Sequence, residues 1–202
     1  MRKIIVFIHS TFNRVVTGPE NDKTNFMTWA QAGIDDINDS FHEHFATVDT
    51  IMLGRATYED LSTKWPFVKD WPAVNGVTLR LGEIINNTPK VVVSGKNNID
   101  DIKWGDFKAP TQLVGEDIEG QIQALKKQAG GDVITFGSPT LVQSLTNANL
   151  VDEYRILVHP VIVGEGGRLF DHIQGRKDLR LKSTKTFDHG AVLMQYELVA
   201  RA

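Results

Sequence analysis

The chain has no cysteine among its 202 residues, so disulfides, thiolate nucleophiles, thiolate zinc sites and iron–sulfur clusters are excluded together. It also lacks an excess of either charge. Lys and Arg number 22 against 25 Asp and Glu, a net charge of -3, and the two signs are mixed along the chain without the basic face that a phosphate polymer needs. Nucleic acid is therefore not an expected partner. Aromatic residues are few, with three Tyr and four Trp, and no apolar run is long enough to span a membrane. The opening "MRKIIVFIHS" has the basic pair and apolar start of a signal peptide, but the run stops at His9 and no small-residue cleavage site follows. It reads as a first strand, and a cytoplasmic globular protein is expected. Neither G-x-G-x-x-G nor a Walker lysine motif is present.

What is present is an alternation of strand and helix patterns. The run Ile4 to Ile8 suits a strand buried on both faces. Further strands are expected at 49–53, 90–94, 111–114, 132–136, 153–163 and 191–199. Apolar residues at Ile34, Ile37, Phe41, Phe45 and Val48 predict an amphipathic helix over 34–47. Other helices are expected near 55–63, 77–87, 117–129 and 139–147. The segment "STFNRVVTGPENDKTN" reads as a long loop of the kind that serves as a lid. The whole chain, 1–202, is expected to be a single α/β domain, a mostly parallel sheet closed by antiparallel strands at its C-terminal end.

Three strand ends carry chemistry. In "TIMLGRATYE" a strand stops at Gly54, where the backbone can approach a ligand, and Arg55 and Thr57 follow in a helical first turn with its free amides. In "VITFGSPTLVQSL" the same grammar recurs, with Gly137, Ser138 as N-cap and Pro139 at the first helical position. "VVVSGK" closes a third strand with Ser94, Gly95 and Lys96. Each junction alone is an ordinary α/β turn, but the carboxyl ends of parallel strands share one edge, and an extended phosphate-bearing cofactor fits such an edge.

These segments, with "VDTIMLGRATYE", "NLVDEYRILVHPVIVGEGGRLF" and the final "GAVLMQYEL", resemble the dihydrofolate reductase-like family, in particular the branch of the riboflavin-biosynthesis reductase domain. The resemblance covers almost the whole chain and implies a three-layer fold and NADPH as cofactor. It implies that Gly54, Arg55, Thr57, Ser94, Lys96, Gly137, Ser138, Thr140 and Leu141 hold the cofactor, and that His9 and Ser10 lie at the nicotinamide under the lid. It further implies a homodimer and a small heterocyclic substrate.

The sequence departs from that family at two places. Related riboflavin-type enzymes commonly read Leu-Asp-Gly where this chain has Phe12, Asn13 and Arg14. The substrate carboxylate of dihydrofolate reductases lies on the helix before the glycine-arginine turn, and counting back from Gly54 brings Asn38 nearest to that place. Asn38 lies on the flank of the apolar stripe, with Asp35 and Asp39 beside it as alternative proton sources. Asn13, Asn38 and Trp65 are expected in the substrate pocket. His42 and His44 face different directions on a helix, so no metal site is expected. The leading expectation is an NADPH-dependent reductase of a pteridine- or pyrimidine-like heterocycle, similar to dihydrofolate reductase or to 5-amino-6-(5-phosphoribosylamino)uracil reductase. The alternative is a non-catalytic nucleotide-binding protein that retains the cofactor cleft.

Overall fold

Five consecutive apolar residues cannot turn one face to water, and Ile4, Ile5, Val6, Phe7 and Ile8 are all buried within strand β1 (Ile4–Thr11). The structure, a computed structural model, describes residues 1–18, 26–30, 33–95 and 102–199. After β1 come a 3-10 turn (Phe26–Ala30), helix α1 (Ile34–Ser40), a second 3-10 turn (Phe41–Phe45), β2 (Val48–Gly54) and α2 (Arg55–Ser62). A third 3-10 segment (Trp65–Asp70), α3 (Gly76–Asn87), β3 (Lys90–Val93), β4 (Thr111–Val114), α4 (Ile118–Lys127), β5 (Asp132–Thr135) and α5 (Pro139–Asn147) follow. The chain ends with β6 (Glu153–His159), β7 (Leu179–Thr186) and β8 (Val192–Leu198).

Among the described residues, eight strands form one sheet in the order β4-β3-β2-β5-β1-β6-β8-β7. The first six of these run parallel, and β8 and β7 are antiparallel to their neighbours. Alternate side chains point to opposite faces of a strand, and here each face has its own core. Ile5, Phe7, Ile51, Leu53 and Val92 pack with Ile37 of α1, Tyr58 of α2 and Leu81 and Ile85 of α3. Ile4, Val6, Ile8, Met52 and Val91 pack with Ile122 and Leu125 of α4 and Leu141, Val142 and Leu145 of α5. Each such side chain contributes about 1.5–3 kcal/mol when fully buried, so strands covered on both sides have almost no freedom of register. This is the three-layer α/β arrangement expected, with antiparallel strands at the C-terminal end.

Three details differ from expectation. The helix predicted over 34–47 is α1 followed by a 3-10 turn; Ser40 turns its hydroxyl back onto the Ile37 carbonyl at 2.9 Å, a bond that favours bending at this point. The strand expected over 153–163 stops at His159, since Pro160 has no N–H to give to the ladder. The segment between the last two expected strands contains a further strand, β7, whose eight residues are all exposed.

β7 carries a register shift between Leu181 and Ser183, and the residue between them, Lys182, reaches Glu153 of β6 at 2.9 Å. Arg155 meets the other oxygen of Glu153 at 2.6 Å. Glu153 is 2% exposed, and hydrogen bonds from Lys182 and Arg155 outweigh burial to hold its carboxyl below the usual carboxylate range. Its contribution is therefore complete above the carboxylate pKa of the unfolded chain and is lost as pH falls through the depressed folded value. Glu153→Gln should cost about 3 kcal/mol at neutral pH by leaving the half-buried Arg155 poorly paired, Lys182 keeping Glu197 at 3.2 Å. In urea unfolding the gap between wild type and variant should close as pH is lowered into the acid range.

Candidate active site

Because β2 and β5 are parallel neighbours, their carboxyl ends meet. The Gly54 amide donates to the Gly137 carbonyl at 3.0 Å. A Cβ on Gly54 would stand 2.5 Å from Ser138 Oγ and 2.9 Å from its backbone nitrogen, so the approach of the two turns requires glycine there. Gly137 has φ +113 and is joined to Ser138 by a cis peptide bond. The turn is tied by Thr135, whose Oγ1 accepts the Gly137 amide at 3.2 Å, and Thr57 Oγ1 stands 3.6 Å from where a Gly137 Cβ would be.

The helices that leave these turns differ from two others. Asn75 caps α3 by accepting the Thr78 amide, and Asp117 caps α4 by accepting that of Gly120. At the starts of α2 and α5 the N-caps Gly54 and Ser138 supply no side-chain bond. The first-turn amides of α2 and α5 thus lack the local acceptor that α3 and α4 have, and they open on one edge beside each other. That arrangement suits the diphosphate of a dinucleotide.

The other predicted cofactor residues are distributed around this edge. Ser94 follows β3, is buried, and donates its amide to Val114 at 2.9 Å. Thr140 is exposed on the first turn of α5, while the side chain of Leu141 lies in the core, so only its backbone can serve a ligand. Arg55 gives Nε to Glu59 at 2.7 Å on the surface of α2. Lys96 lies outside the described residues. His9 and Ser10 are separated: Ser10 is buried on the α4 and α5 side with its hydroxyl on the Thr11 carbonyl at 2.9 Å, and His9 points to the opposite face, beside Phe7.

On that face β1 and β6 end together, and His9 Nδ1 lies 3.0 Å from Nε2 of His159. The rings are near parallel at 16°, with centroids 5.2 Å apart, and Trp29 sets its edge against His159 at 5.2 Å. Burial, and then the neighbouring His159, lower the pKa of His9 to about 3; burial also lowers that of His159. Both rings are neutral at physiological pH. Sequence reasoning does not single out His159; its one signal is a histidine breaking the apolar run "RILVHPVIV".

The remaining candidates lie elsewhere. Asn13 spends its amide inside the protein: Oδ1 accepts from Thr11 Oγ1 at 2.8 Å and from the Val163 amide at 3.3 Å, and Nδ2 donates to the Val163 carbonyl at 2.7 Å. With Val16 and Thr17 bonded to Gly167, it fastens residues 12–17 to the segment after β6. Asn38 lines a shallow groove between α1 and α3 with His42, Val77 and Arg80. Asp35 bonds to Asn75 at 2.9 Å, and Asp39 pairs with Arg80 at 2.8 Å, all of them outside the core. Trp65 packs against Trp71, rings tilted by 53° with centroids 5.2 Å apart, and its carbonyl accepts from Asn86 near the carboxyl end of α3. That is the side of the sheet where β3 begins, not where the glycine turns lie. No group of three or more side chains of metal-ligating type comes together among the described residues, those around His42 and His44 included.

Residues 3–193 match the RibD C-terminal domain. The chain belongs to that family. Among curated proteins it is 28% identical over 195 residues to the uncharacterized protein YyaP of Bacillus subtilis, covering 96% of this chain and 94% of YyaP. Among solved structures, a putative riboflavin biosynthesis protein from Shewanella superposes with a TM-score of 0.74 at 17% identity, over 98% of this chain and 99% of that one. The dihydrofolate reductase of Enterococcus faecalis, solved with NADP(H), superposes with a TM-score of 0.59 at 13% identity, over 97% and 96% of the two chains. The fold is thus dihydrofolate reductase-like. No helix among the described residues is long and apolar enough to cross a membrane.

Asn13→Asp tests the fastening of residues 12–17. The substitution removes the donor to Val163 and sets a carboxylate against its carbonyl. It should destabilise the protein by about 1–3 kcal/mol and raise amide exchange in residues 12–17 more than in β1.

Proposed function

We propose that the chain is an NADPH-dependent reductase of a small pteridine- or pyrimidine-like heterocycle. The observation that carries this reading is the joined ends of β2 and β5, where the Gly54 amide meets the Gly137 carbonyl at 3.0 Å and two helices without side-chain caps open side by side. Gly54, Arg55, Thr57, Gly137, Ser138 and the backbone at Thr140 and Leu141 would hold the diphosphate, Ser94 and Lys96 would hold the adenosine end, and Arg55 and Lys96 would meet the 2′-phosphate. The cofactor would supply hydride to a C=N or C=O carbon of the heterocycle. The substrate would lie on the α1 side of the same edge, beside His9. Membership of the RibD C-terminal domain family and the dihydrofolate reductase-like fold support the class of reaction.

One observation favours the second reading, a nucleotide-binding protein without turnover. Each carboxylate of α1 is exposed and already has a partner: Asp35 bonds to Asn75, Asp36 lies 3.6 Å from His189, and Asp39 pairs with Arg80. The two readings separate in an assay of NADPH oxidation against a panel of reducible pteridines and aminopyrimidines. Turnover with any member supports the reductase, and binding without turnover across the panel supports the alternative.

Cofactor choice gives a further test. A charge-assisted hydrogen bond to the 2′-phosphate is worth about 1.5–3 kcal/mol, roughly ten- to a hundredfold in affinity. Fluorescence titration should therefore give a Kd for NADPH at least tenfold below that for NADH. Arg55→Ala should narrow the ratio mainly by weakening NADPH; equal constants in the wild type would remove the assignment of Arg55 and Lys96.

A further inference from the structure

Adding hydride to one atom of a polar double bond drives its electron pair onto the heteroatom, and that charge needs a donor close by. On the reductase reading, on which this inference rests, Asp35, Asp36 and Asp39 of α1 are exposed and already engaged with Asn75, His189 and Arg80. The edge of the sheet holds another candidate. His9 and His159 lie on adjacent parallel strands, Thr11 of β1 standing opposite His159 in the register, and both rings point to the α1 side. They form an inner and an outer member: His159 is 2% exposed, whereas His9 is half-buried. The contact of His9 Nδ1 with His159 Nε2 at 3.0 Å leaves His9 Nε2 as the nitrogen through which the pair can meet a ligand.

We propose that His9 is the hydrogen-bond donor to the substrate heteroatom and that His159 is the positioning residue that fixes its tautomer. With His159 donating Nε2–H to Nδ1 of His9, a neutral His9 carries its own proton on Nε2. As hydride from the reduced nicotinamide forms the new C–H bond and the nicotinamide is oxidised, the π pair moves to the heteroatom. The Nε2–H of His9 stabilises the developing negative charge, and water supplies the proton that completes the N–H or O–H bond. Neither imidazole gains or loses a proton in the cycle. Neutral imidazole is an established electrophile for such charge, and it needs no ionised side chain in a buried place.

The surroundings agree with a neutral pair. Phe7 meets His9 edge-on at 5.6 Å and Trp29 meets His159 at 5.2 Å, both apolar neighbours that resist an imidazolium. Burial is the larger cause of the depressed His9 pKa, and His159 adds to it only when its own ring is protonated. His44, the next titratable group on this face, stands across Phe7 with Arg155 Nη1 3.2 Å from its Nδ1, and burial, then Arg155, lower its pKa to about 4. It is neutral as well.

The test begins on the protein without ligand. Long-range proton–nitrogen NMR at neutral pH should show His9 protonated at Nε2, with neither His9 nor His159 titrating in the range of a free imidazole. In His159→Asn the His9 ring should lose its fixed tautomer, and its pKa should rise only in part, because burial, the larger cause of its depression, remains while repulsion from a protonated His159 in the acid range is gone. A His9 proton on Nδ1, or independent titration of both rings near the usual histidine pKa, overturns the proposal. The second arm uses whichever heterocycle the wild type reduces. His9→Leu should lower kcat about a hundredfold at saturating NADPH, and His9→Gln, which retains an N–H donor, should recover part of it. Full activity in a folded His9→Leu protein overturns the proposal while leaving the reductase reading intact. Absence of turnover in the wild type on every heterocycle overturns the reductase reading, and this role of His9 with it.

Discussion

Strand β1 lies between β5 and β6, parallel to both, with Ile4 to Ile8 buried on its two faces. The layering of the molecule and the position of its site both depend on that placement. Parallel neighbours must be joined by crossovers, so helices cover both faces of the sheet and the strands share their direction. All the carboxyl ends then lie along one edge, which is where the apolar code of each strand gives way to Gly, Ser, Thr and His. β1 changes from Ile8 to His9-Ser10-Thr11, β2 ends at Gly54, and β6 ends at His159. A strand buried on both sides cannot slip by one residue without reversing its faces. The same packing that makes the core therefore also fixes which side of the sheet His9 and His159 occupy.

How far the sequence can be read depends on whether a feature is local. The inner strands are legible because burial on both faces leaves continuous apolar runs. The glycine turns are legible because a strand, a glycine and a helix start are adjacent in the chain. β7 is not legible: all its residues are exposed, so it has no burial pattern, and the bulge at Lys182 breaks such alternation as Leu179 and Leu181 begin. β6 reads too long because Val161, Ile162 and Val163 have strand composition, and the missing N–H of Pro160 decides against them. The histidine pair depends on β1 and β6 being neighbours in a particular register, a relation between residues 150 positions apart in sequence. Counting along a helix gives the position of Asn38 on the chain but not which groove the helix turns it toward.

The two departures from related sequences have physical accounts of different kinds. At Asn13 the site asks for both an acceptor and a donor, since the amide of Val163 must be accepted and its carbonyl must receive a proton. An amide side chain meets both requirements, and an ionised carboxylate meets only the first. The Asn13 side chain is thus a cross-link between the segment after β1 and the segment after β6. In doing so it holds Thr11, two residues beyond His9, through the hydroxyl that Asn13 accepts.

At α1 the account is one of solvation. A carboxylate at the α1 side of the edge would face Phe7, Phe41 and Phe136, which pack within 6.4 Å of one another by ring centroids, and ionising it there would cost several kcal/mol. The acids of α1 avoid that cost by pairing on the surface. Two neutral imidazoles avoid it in another way, because each satisfies one nitrogen of the other at 3.0 Å, and a neutral polar group with its hydrogen bond made is far cheaper to bury than a charge. Such a pair can stand in an aromatic environment and still offer an N–H to a ligand. The aromatic packing that excludes a carboxylate is thus the condition under which the neutral pair is stable, and the Asn13 cross-link keeps the end of β1 in the register that brings its two members together.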